Sequence, residues 1–179
     1  MADSITRPIA FEEFERMPDE GRRYELRHGE LVQVPPPKHR HHILPERLVD
    51  GLRAAAGRRG HVTWEFGFRA LPEGEYRIAD VGYTVRERWE AVDPEGYFHG
   101  SPEMVIEILS PSNTRAEIED KRKLCLETGC REFWLVDGKL RQVDISTPDG
   151  STKTYRVGQE IPLGLFGERA GLRVGEIFP

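Results

Sequence analysis

Long apolar segments and a cysteine framework are both absent from this chain, and each absence excludes a class of protein. No hydrophobic run among the 179 residues approaches the ~20 residues that a membrane-spanning helix needs. The first residues, Met-Ala-Asp-Ser-Ile-Thr-Arg, lack the apolar core of a signal peptide. The two cysteines, Cys125 and Cys130, are too few for a disulfide framework, and their spacing matches no common zinc site. We therefore expect a cytoplasmic protein with free thiols and no membrane contact.

An excess of positive charge is lacking as well. The chain has 26 Lys and Arg residues against 31 Asp and Glu residues, which gives a formal net charge of −5. Proteins that bind nucleic acid through many phosphates are usually basic, so any such contact here must be local or mediated by a divalent ion. The 37% hydrophobic and 32% charged residues are typical of a folded globular chain. Residues 1–179 are expected to form one mixed α/β domain.

Helical and strand patterns follow one another along the chain without repeats or low-complexity linkers. The long helix carries an apolar stripe from His41 through Leu52, with Pro45 expected in its first turn. A Thr114-x-x-Glu117 capping box predicts the start of another helix. The predicted elements are a helix at Ile9–Met17, a hairpin turning at His28-Gly29, a helix from His41 to Ala56, strands Val62–Leu71, Tyr76–Val85 and Glu103–Leu109, a helix at Arg115–Thr128, a strand at Phe133–Val136, hairpin turns at Asp137-Gly138 and Asp149-Gly150, and a last strand in the tail.

Two of the apolar strands each carry one acid. Glu107 shares a strand face with Val105, while Ile106 lies on the other face, so this strand is expected to be buried on both sides. A carboxylate there costs several kcal/mol unless it is paired or bound to a metal. Asp80 lies on the strand face of Gly82, which leaves room for another group to approach.

The helix after these strands carries a lysine on its apolar side. At 100° per residue, the apolar arc is defined by Ile118, Leu124, Cys125 and Leu126. Lys121 falls inside this arc, whereas Lys123 falls on the opposite side. Lys121 is therefore the residue expected to reach a buried acid.

Two acids and a lysine on adjoining elements are the minimum for metal-assisted cleavage of a phosphodiester, but simpler interpretations exist. Glu107 and Lys121 could form a structural ion pair. Glu117 and Lys121 stand at i and i+4, where a surface pair contributes about 0.3–0.5 kcal/mol. Asp80 could pair with Arg77. The spacing of these residues leaves all of these interpretations open.

An ordered set of segments resembles a known family. These segments are Tyr24-Glu25-Leu26 with Gly29-Glu30-Leu31, Arg77-Ile78-Ala79-Asp80-Val81, Glu107-Ile108-Leu109-Ser110-Pro111-Ser112, and Lys121 followed by Gly129 and Glu132-Phe133-Trp134. Together they resemble the large bacterial family of putative restriction endonucleases of the Uma type, within the PD-(D/E)XK nuclease superfamily. The resemblance implies an α/β (α+β) fold with a mixed central β-sheet flanked by helices.

The resemblance also implies a metal site. Asp80 and Glu107 would hold Mg²⁺ (or Mn²⁺), with the backbone carbonyl of Ile108 as a further ligand, and oxygen ligands suit this ion. Lys121 would position the attacking water. Glu25 matches an N-terminal acid of the family, as either a third metal-proximal carboxylate or a salt-bridged hairpin glutamate. His41 matches a position that would contact phosphate or transfer protons.

Three positions depart from the family pattern. Leu109 stands where the usual Glu-x-Lys places its lysine, a role that Lys121 would take over from the following helix. Ala79 replaces the usual proline before the acid, and Cys125 replaces a frequent tyrosine. A transition-metal site formed by His39, His41 and His42 is disfavoured by their spacing on a helix, and an exposed basic helix start is the preferred interpretation for His39 and His42.

The resulting hypothesis is a metal-dependent endonuclease that hydrolyses DNA, in which Asp80, Glu107 and Lys121 support the attack of water on phosphorus. The first rival is a catalytically inactive module of the same fold that binds nucleic acid or a protein partner, which the acidic charge and Leu109 favour. The second is a structural protein whose polar trio is a buried ion-pair network. A homodimer would suit cleavage of both strands of a duplex.

Overall fold

The first elements of the fold are a short helix and a hairpin. The computed structural model describes residues 7–18, 21–34, 40–111 and 113–178. Helix α1 spans Phe11–Glu15, shorter than predicted, and strands β1 (Arg23–Arg27) and β2 (Glu30–Val34) form the predicted hairpin. His28 and Gly29 have φ values of 50° and 77°. Positive φ at both positions is what a two-residue type I′ turn requires, so the hairpin prediction is confirmed.

The long helix α2 spans Arg40–Ala56, and Gly57 follows it with φ of 55°. Leu48 and Leu52 of the predicted stripe are fully buried. The prediction for Pro45 was wrong, because this proline is the sixth helical residue and lies in the second turn. Since proline has no N–H, one backbone hydrogen bond of the helix is missing there.

The central sheet has six strands in the order β3-β4-β5-β6-β7-β8. Only β5 and β6 run parallel, so the sheet is mixed, as predicted. A second small sheet pairs β9 with β10 near the end of the chain. The elements after α2 are β3 Gly60–Phe68, β4 Arg77–Val85, α3 Arg86–Glu90, β5 Met104–Ile108, α4 Arg115–Glu127, β6 Glu132–Asp137, β7 Gln142–Ser146, β8 Thr152–Arg156, β9 Glu160–Pro162, a 3₁₀ helix Gly164–Phe166, β10 Gly171–Arg173 and α5 Val174–Ile177.

Each face of the sheet has its own hydrophobic core. On one face α2 packs against alternate residues of β5 such as Met104 and Ile106. On the other face α4 packs against Val105 and its neighbours. Strand β5 is therefore buried on both sides, as its sequence predicts. Within the described ranges, no helix is long and apolar enough to cross a membrane.

Helix α4 begins at the predicted capping box. The Thr114 side chain accepts a hydrogen bond from the Glu117 amide, and the Glu117 carboxylate accepts one from the Thr114 amide. Ile118, Leu124 and Cys125 face the core. Cys125 and Cys130 are both buried and free, as expected.

Candidate active site

Lys121 lies at the centre of a buried polar cluster. Its Nζ lies 2.8 Å from Glu107 Oε1 and 3.3 Å from Glu25 Oε1. The same ammonium donates a hydrogen bond of 2.7 Å to the carbonyl of Ile78. The side chain of Lys121 is 8% exposed, whereas that of Lys123 is 76% exposed, so the periodicity of α4 identified the inward lysine correctly.

Asp80 lies where β4 separates from β5. The ladder between these strands ends at the pair Val81 and Ile106. One residue further along the same register Asp80 comes opposite Glu107. There, the Asp80 carboxylate accepts a hydrogen bond of 2.7 Å from the Ile108 amide. The two acids that the sequence singled out are thus cross-strand neighbours at the end of a ladder.

The electrostatics of Glu107 reflect this crowding. Burial raises the pKa of Glu107 to about 7, Lys121 acts in the opposite direction, and repulsion from Asp80 adds to the increase. Oε1 of Glu107 is buried and, although it lies close to Lys121, accepts no well-directed hydrogen bond in the part of the chain that the structure describes. A buried oxygen in this state is suited to an additional cation.

Glu25 reaches the cluster from the hairpin. Backbone hydrogen bonds between Leu26 and Tyr76 attach β1 to the chain just before β4. Glu25 then accepts a hydrogen bond of 2.9 Å from the Ile78 amide and pairs with Arg27 at 2.7 Å. Burial works against ionisation, but Lys121, the Ile78 amide and Arg27 together lower the pKa of Glu25 to about 2. Glu25 is therefore an ionised, salt-bridged member of the cluster.

Of the simpler pairings that the spacing allowed, the ion pair of Glu107 with Lys121 forms, whereas Glu117 and Arg77 have other partners. Glu117 pairs with Arg27 at 2.9 Å, while Lys121 turns to Glu107 and Glu25. The Arg77 guanidinium contacts Glu75 and Asp120, each at 2.8 Å.

A second polar network adjoins the cluster and was missed by the sequence reasoning. His28 lies within 2.9 Å of Glu75 and 2.8 Å of Asp120, the same two acids that bind buried Arg77. The network ties the hairpin turn to β4 and to α4. The sequence indicates this network only through the position of Asp120 next to the inward Lys121. That position does not reveal the distant partners of Asp120.

The expected open space beside Gly82 is filled. A Cβ added to Gly82 would lie 2.7 Å from ring atoms of Phe66 and 2.8 Å from its Cβ. The absence of a side chain at Gly82 therefore accommodates an aromatic ring of β3. It does not leave an approach route for a ligand.

A nuclease family model matches this chain. The model, for the Uma2 family and described as "Putative restriction endonuclease", covers residues 11–170. The chain belongs to the Uma2 family. No curated protein matches it. Among solved structures it is similar to a crystal structure described as a putative nuclease belonging to DUF820 from Anabaena variabilis ATCC 29413, with a TM-score of 0.81 and 21% identity over 96% of this chain and 98% of the other. At this identity the similarity shows a shared fold.

The departures of this Uma2 member from the family pattern have clear structural settings. Leu109 is 36% exposed beyond the end of β5, and Ala79 is fully buried in β4. Cys125 is buried beside the cluster, and burial raises the pKa of its thiol to about 12. His39 and the side chain of His41 lie outside the described residues.

A metal site formed by side chains alone is not found in the described parts of this Uma2 chain. Within residues 7–18, 21–34, 40–111 and 113–178, no group of three or more His, Cys, Asp or Glu residues is arranged to hold a metal ion. A divalent ion bound in these parts of the chain would therefore need backbone oxygen or water in addition to side-chain ligands.

Proposed function

We propose that the protein is a Mg²⁺-dependent endonuclease that hydrolyses DNA phosphodiester bonds at the cluster of Asp80, Glu107 and Lys121. The observation that carries this proposal is the contact of a buried lysine with Glu107, the cross-strand neighbour of a second acid, at the end of the β4–β5 ladder. Membership of a family described as restriction endonucleases supports DNA as the substrate and the cytoplasm as the compartment.

Asp80 and Glu107 would hold the Mg²⁺ (or Mn²⁺), and the backbone carbonyl of Ile108 is the further protein ligand that we infer. The residues fit this ion, because Mg²⁺ takes one or two carboxylates and retains several waters, so a third acidic ligand is not required. The buried Glu107 oxygen without a well-directed hydrogen bond supports the fit. When bound, the ion would polarise the scissile phosphate and lower the pKa of a coordinated water.

Lys121 would act as a fixed cation. Burial opposes its charge, but Glu107 and Glu25 raise the pKa of Lys121 above its ordinary value. The lysine therefore stays protonated and donates hydrogen bonds. In this role it would orient the attacking water and offset negative charge that develops on the phosphate.

Glu25 would position Lys121. Its carboxylate is held by Arg27 and by the Ile78 amide, and Lys121 also donates to the carbonyl of Ile78. Both ends of the Glu25–Lys121 contact are thus fixed to the same peptide region of β4. His41 remains a proposed auxiliary residue for phosphate contact.

Plasmid nicking under titration with Mg²⁺ or Mn²⁺ tests this function. The variants Asp80→Asn and Lys121→Met should lose metal-dependent nicking, while Lys123→Met should retain it. Asparagine at position 80 can still accept the hydrogen bond of the Ile108 amide, so a loss of nicking in this variant would result from the missing negative charge. Parallel assays on RNA of the same sequence establish the substrate.

The rival function is a nuclease-fold module that binds nucleic acid or a protein without cleaving DNA. It is favoured by the exposed Leu109 at the usual lysine position and by the engagement of Lys121 in two ion pairs. DNA binding by the wild type without nicking at any metal concentration would support this rival and reject the enzyme. Sedimentation of the DNA complex would test the proposed homodimer.

A further inference from the structure

Glu65 has an unusual backbone conformation opposite Asp80. Its φ is 50°, in the left-handed region that residues with a Cβ seldom adopt. The register of β3 and β4 pairs Trp64 with Val81 and Phe66 with Ala79, so Glu65 stands across from Asp80. The Glu65–Asp80 pair is the one position between Gly60 and Phe68 at which this ladder is interrupted.

In both strands the side chains switch to the opposite face of the sheet at this interruption. In β3, Val62 belongs to the core under α2, whereas Phe66 belongs to the core under α4, although an even spacing should keep them on one face. In β4, Val81 lies in the first core and Ala79 lies in the second. A left-handed residue explains the switch in β3, because it rotates the following side chains to the other face.

The switch affects the direction of the Asp80 carboxylate. The register of β4 and β5 pairs Gly82 with Val105 and continues to Asp80 opposite Glu107, so the register itself makes these two acids neighbours. Between Val81 in the first core and Ala79 in the second, β4 does not keep the regular alternation of a strand. At this point the Asp80 carboxylate accepts a hydrogen bond from the amide of Ile108 on β5.

We propose that the left-handed backbone at Glu65 directs the Asp80 carboxylate to the Ile108 amide at the end of the β4–β5 ladder. Glu65 is thus a positioning residue, and it does not touch the reacting atoms. Its side chain pairs with Arg23 of β1, but the backbone conformation carries the effect. The relevance of this positioning to catalysis rests on the proposed function, while the positioning itself does not.

The NMR chemical shift of the Ile108 amide proton reports on its hydrogen bond to the Asp80 carboxylate. Because this amide donates to the Asp80 carboxylate, its proton resonance should move upfield in Asp80→Ala. Glycine and asparagine tolerate left-handed backbone, whereas β-branched residues disfavour it strongly. We expect Glu65→Gly and Glu65→Asn to keep the resonance near its wild-type position, and Glu65→Val and Glu65→Thr to shift it toward that of Asp80→Ala.

Arg141 provides the matched control. It has φ of 51° in the turn between β6 and β7, away from Asp80. Arg141→Val should lower stability through the same backbone strain and leave the Ile108 resonance unchanged. A resonance that stays in place in both β-branched variants of Glu65 would overturn the proposal. A shift in Glu65→Gly equal to that in Glu65→Val would also overturn it, because the Arg23 ion pair would then be responsible.

Metal binding without DNA gives a second measurement. Titration calorimetry with Mn²⁺ should show affinity about ten- to a hundredfold weaker in Glu65→Val than in Glu65→Gly. Equal affinities in these two variants would count against the positioning role. Failure of the wild type to bind Mn²⁺ or to nick DNA would reject the proposed function and leave the amide measurement to decide the role of Glu65.

Discussion

Lys121 and Glu107 form a buried ion pair, with Nζ 2.8 Å from Oε1 and the two residues 6% and 7% exposed. Such a pair contributes little net stability by itself, because both groups lose their hydration. Removing one partner is costly, since the other charge remains buried and uncompensated. The site therefore depends on the simultaneous presence of all its charges, including Glu25 on the other side of Lys121.

Replacement of Lys121 by methionine should destabilise the protein. Glu107 and Glu25 would lose their shared cation, and we expect the free energy of unfolding to fall by about 3–5 kcal/mol. Urea denaturation at neutral pH or slightly above measures the change. Lys123→Met on the exposed side of α4 should change stability by less than about 0.5 kcal/mol, and equal losses in the two variants would contradict the assigned role of Lys121.

Stability should decrease as pH rises through the pKa of Glu107. In the folded protein this pKa is raised to about 7 from the ordinary 4.5, so the folded state binds more protons than the unfolded state between these values. The higher proton affinity of Glu107 in the folded state therefore adds on the order of 3 kcal/mol to the free energy of unfolding. This contribution is fully present below pH about 4.5 and is lost by pH about 7. Glu25 contributes in the opposite sense, but only as pH falls from about 4.5 toward its lowered pKa of about 2.

Urea denaturation of the wild type and Glu107→Gln between pH about 5 and 8 isolates this effect. The free energy of unfolding should decrease with rising pH in the wild type but not in Glu107→Gln, which carries no titrating group at this position. A decrease of the same size in both proteins would assign it to another residue.

Local patterns predicted the elements that carry the candidate site. The inward position of Lys121 follows from helical periodicity, and the start of α4 follows from the Thr114 capping box. Strand β5 is recognisable because Met104 and Val105 begin a run that is apolar on both faces. These signals depend on neighbours within a few residues, which a sequence displays directly.

The remaining features depend on long-range contacts. The pairing of Arg77 with Asp120 joins residues 43 positions apart, and each side chain could be solvated as far as the sequence shows. The left-handed Glu65 carries no glycine or asparagine signal, because glutamate is not a residue that favours this conformation. Pro45 was misplaced because the helix start signals before it are weak, and the observed helix begins at Arg40, five residues before Pro45.

A methyl group at Gly82 should disturb the packing of β3 against β4. The added Cβ would lie 2.7 Å from the Phe66 ring, close to where that ring joins its own Cβ, so the side chain cannot move aside easily. We expect Gly82→Ala to cost about 1–3 kcal/mol in thermal or urea denaturation. Gly175→Ala is the control, because a Cβ there meets nothing within 4 Å, and its stability should remain close to that of the wild type.

Divalent ions should stabilise the folded protein if Asp80 and Glu107 hold one. A ligand that binds only the folded state at about ten times its dissociation constant contributes about 1.4 kcal/mol. Mn²⁺ should therefore raise the melting temperature of the wild type in the absence of DNA, and EDTA should reverse the increase. The increase should vanish in Asp80→Asn, which retains an acceptor for the Ile108 amide but loses the charge that attracts the ion.

Asp149→Asn, at an exposed hairpin turn between β7 and β8, controls for non-specific binding to acidic surface residues and should respond like the wild type. An equal increase in Asp80→Asn and the wild type would place the ion elsewhere and remove the support that metal binding gives to the nuclease proposal.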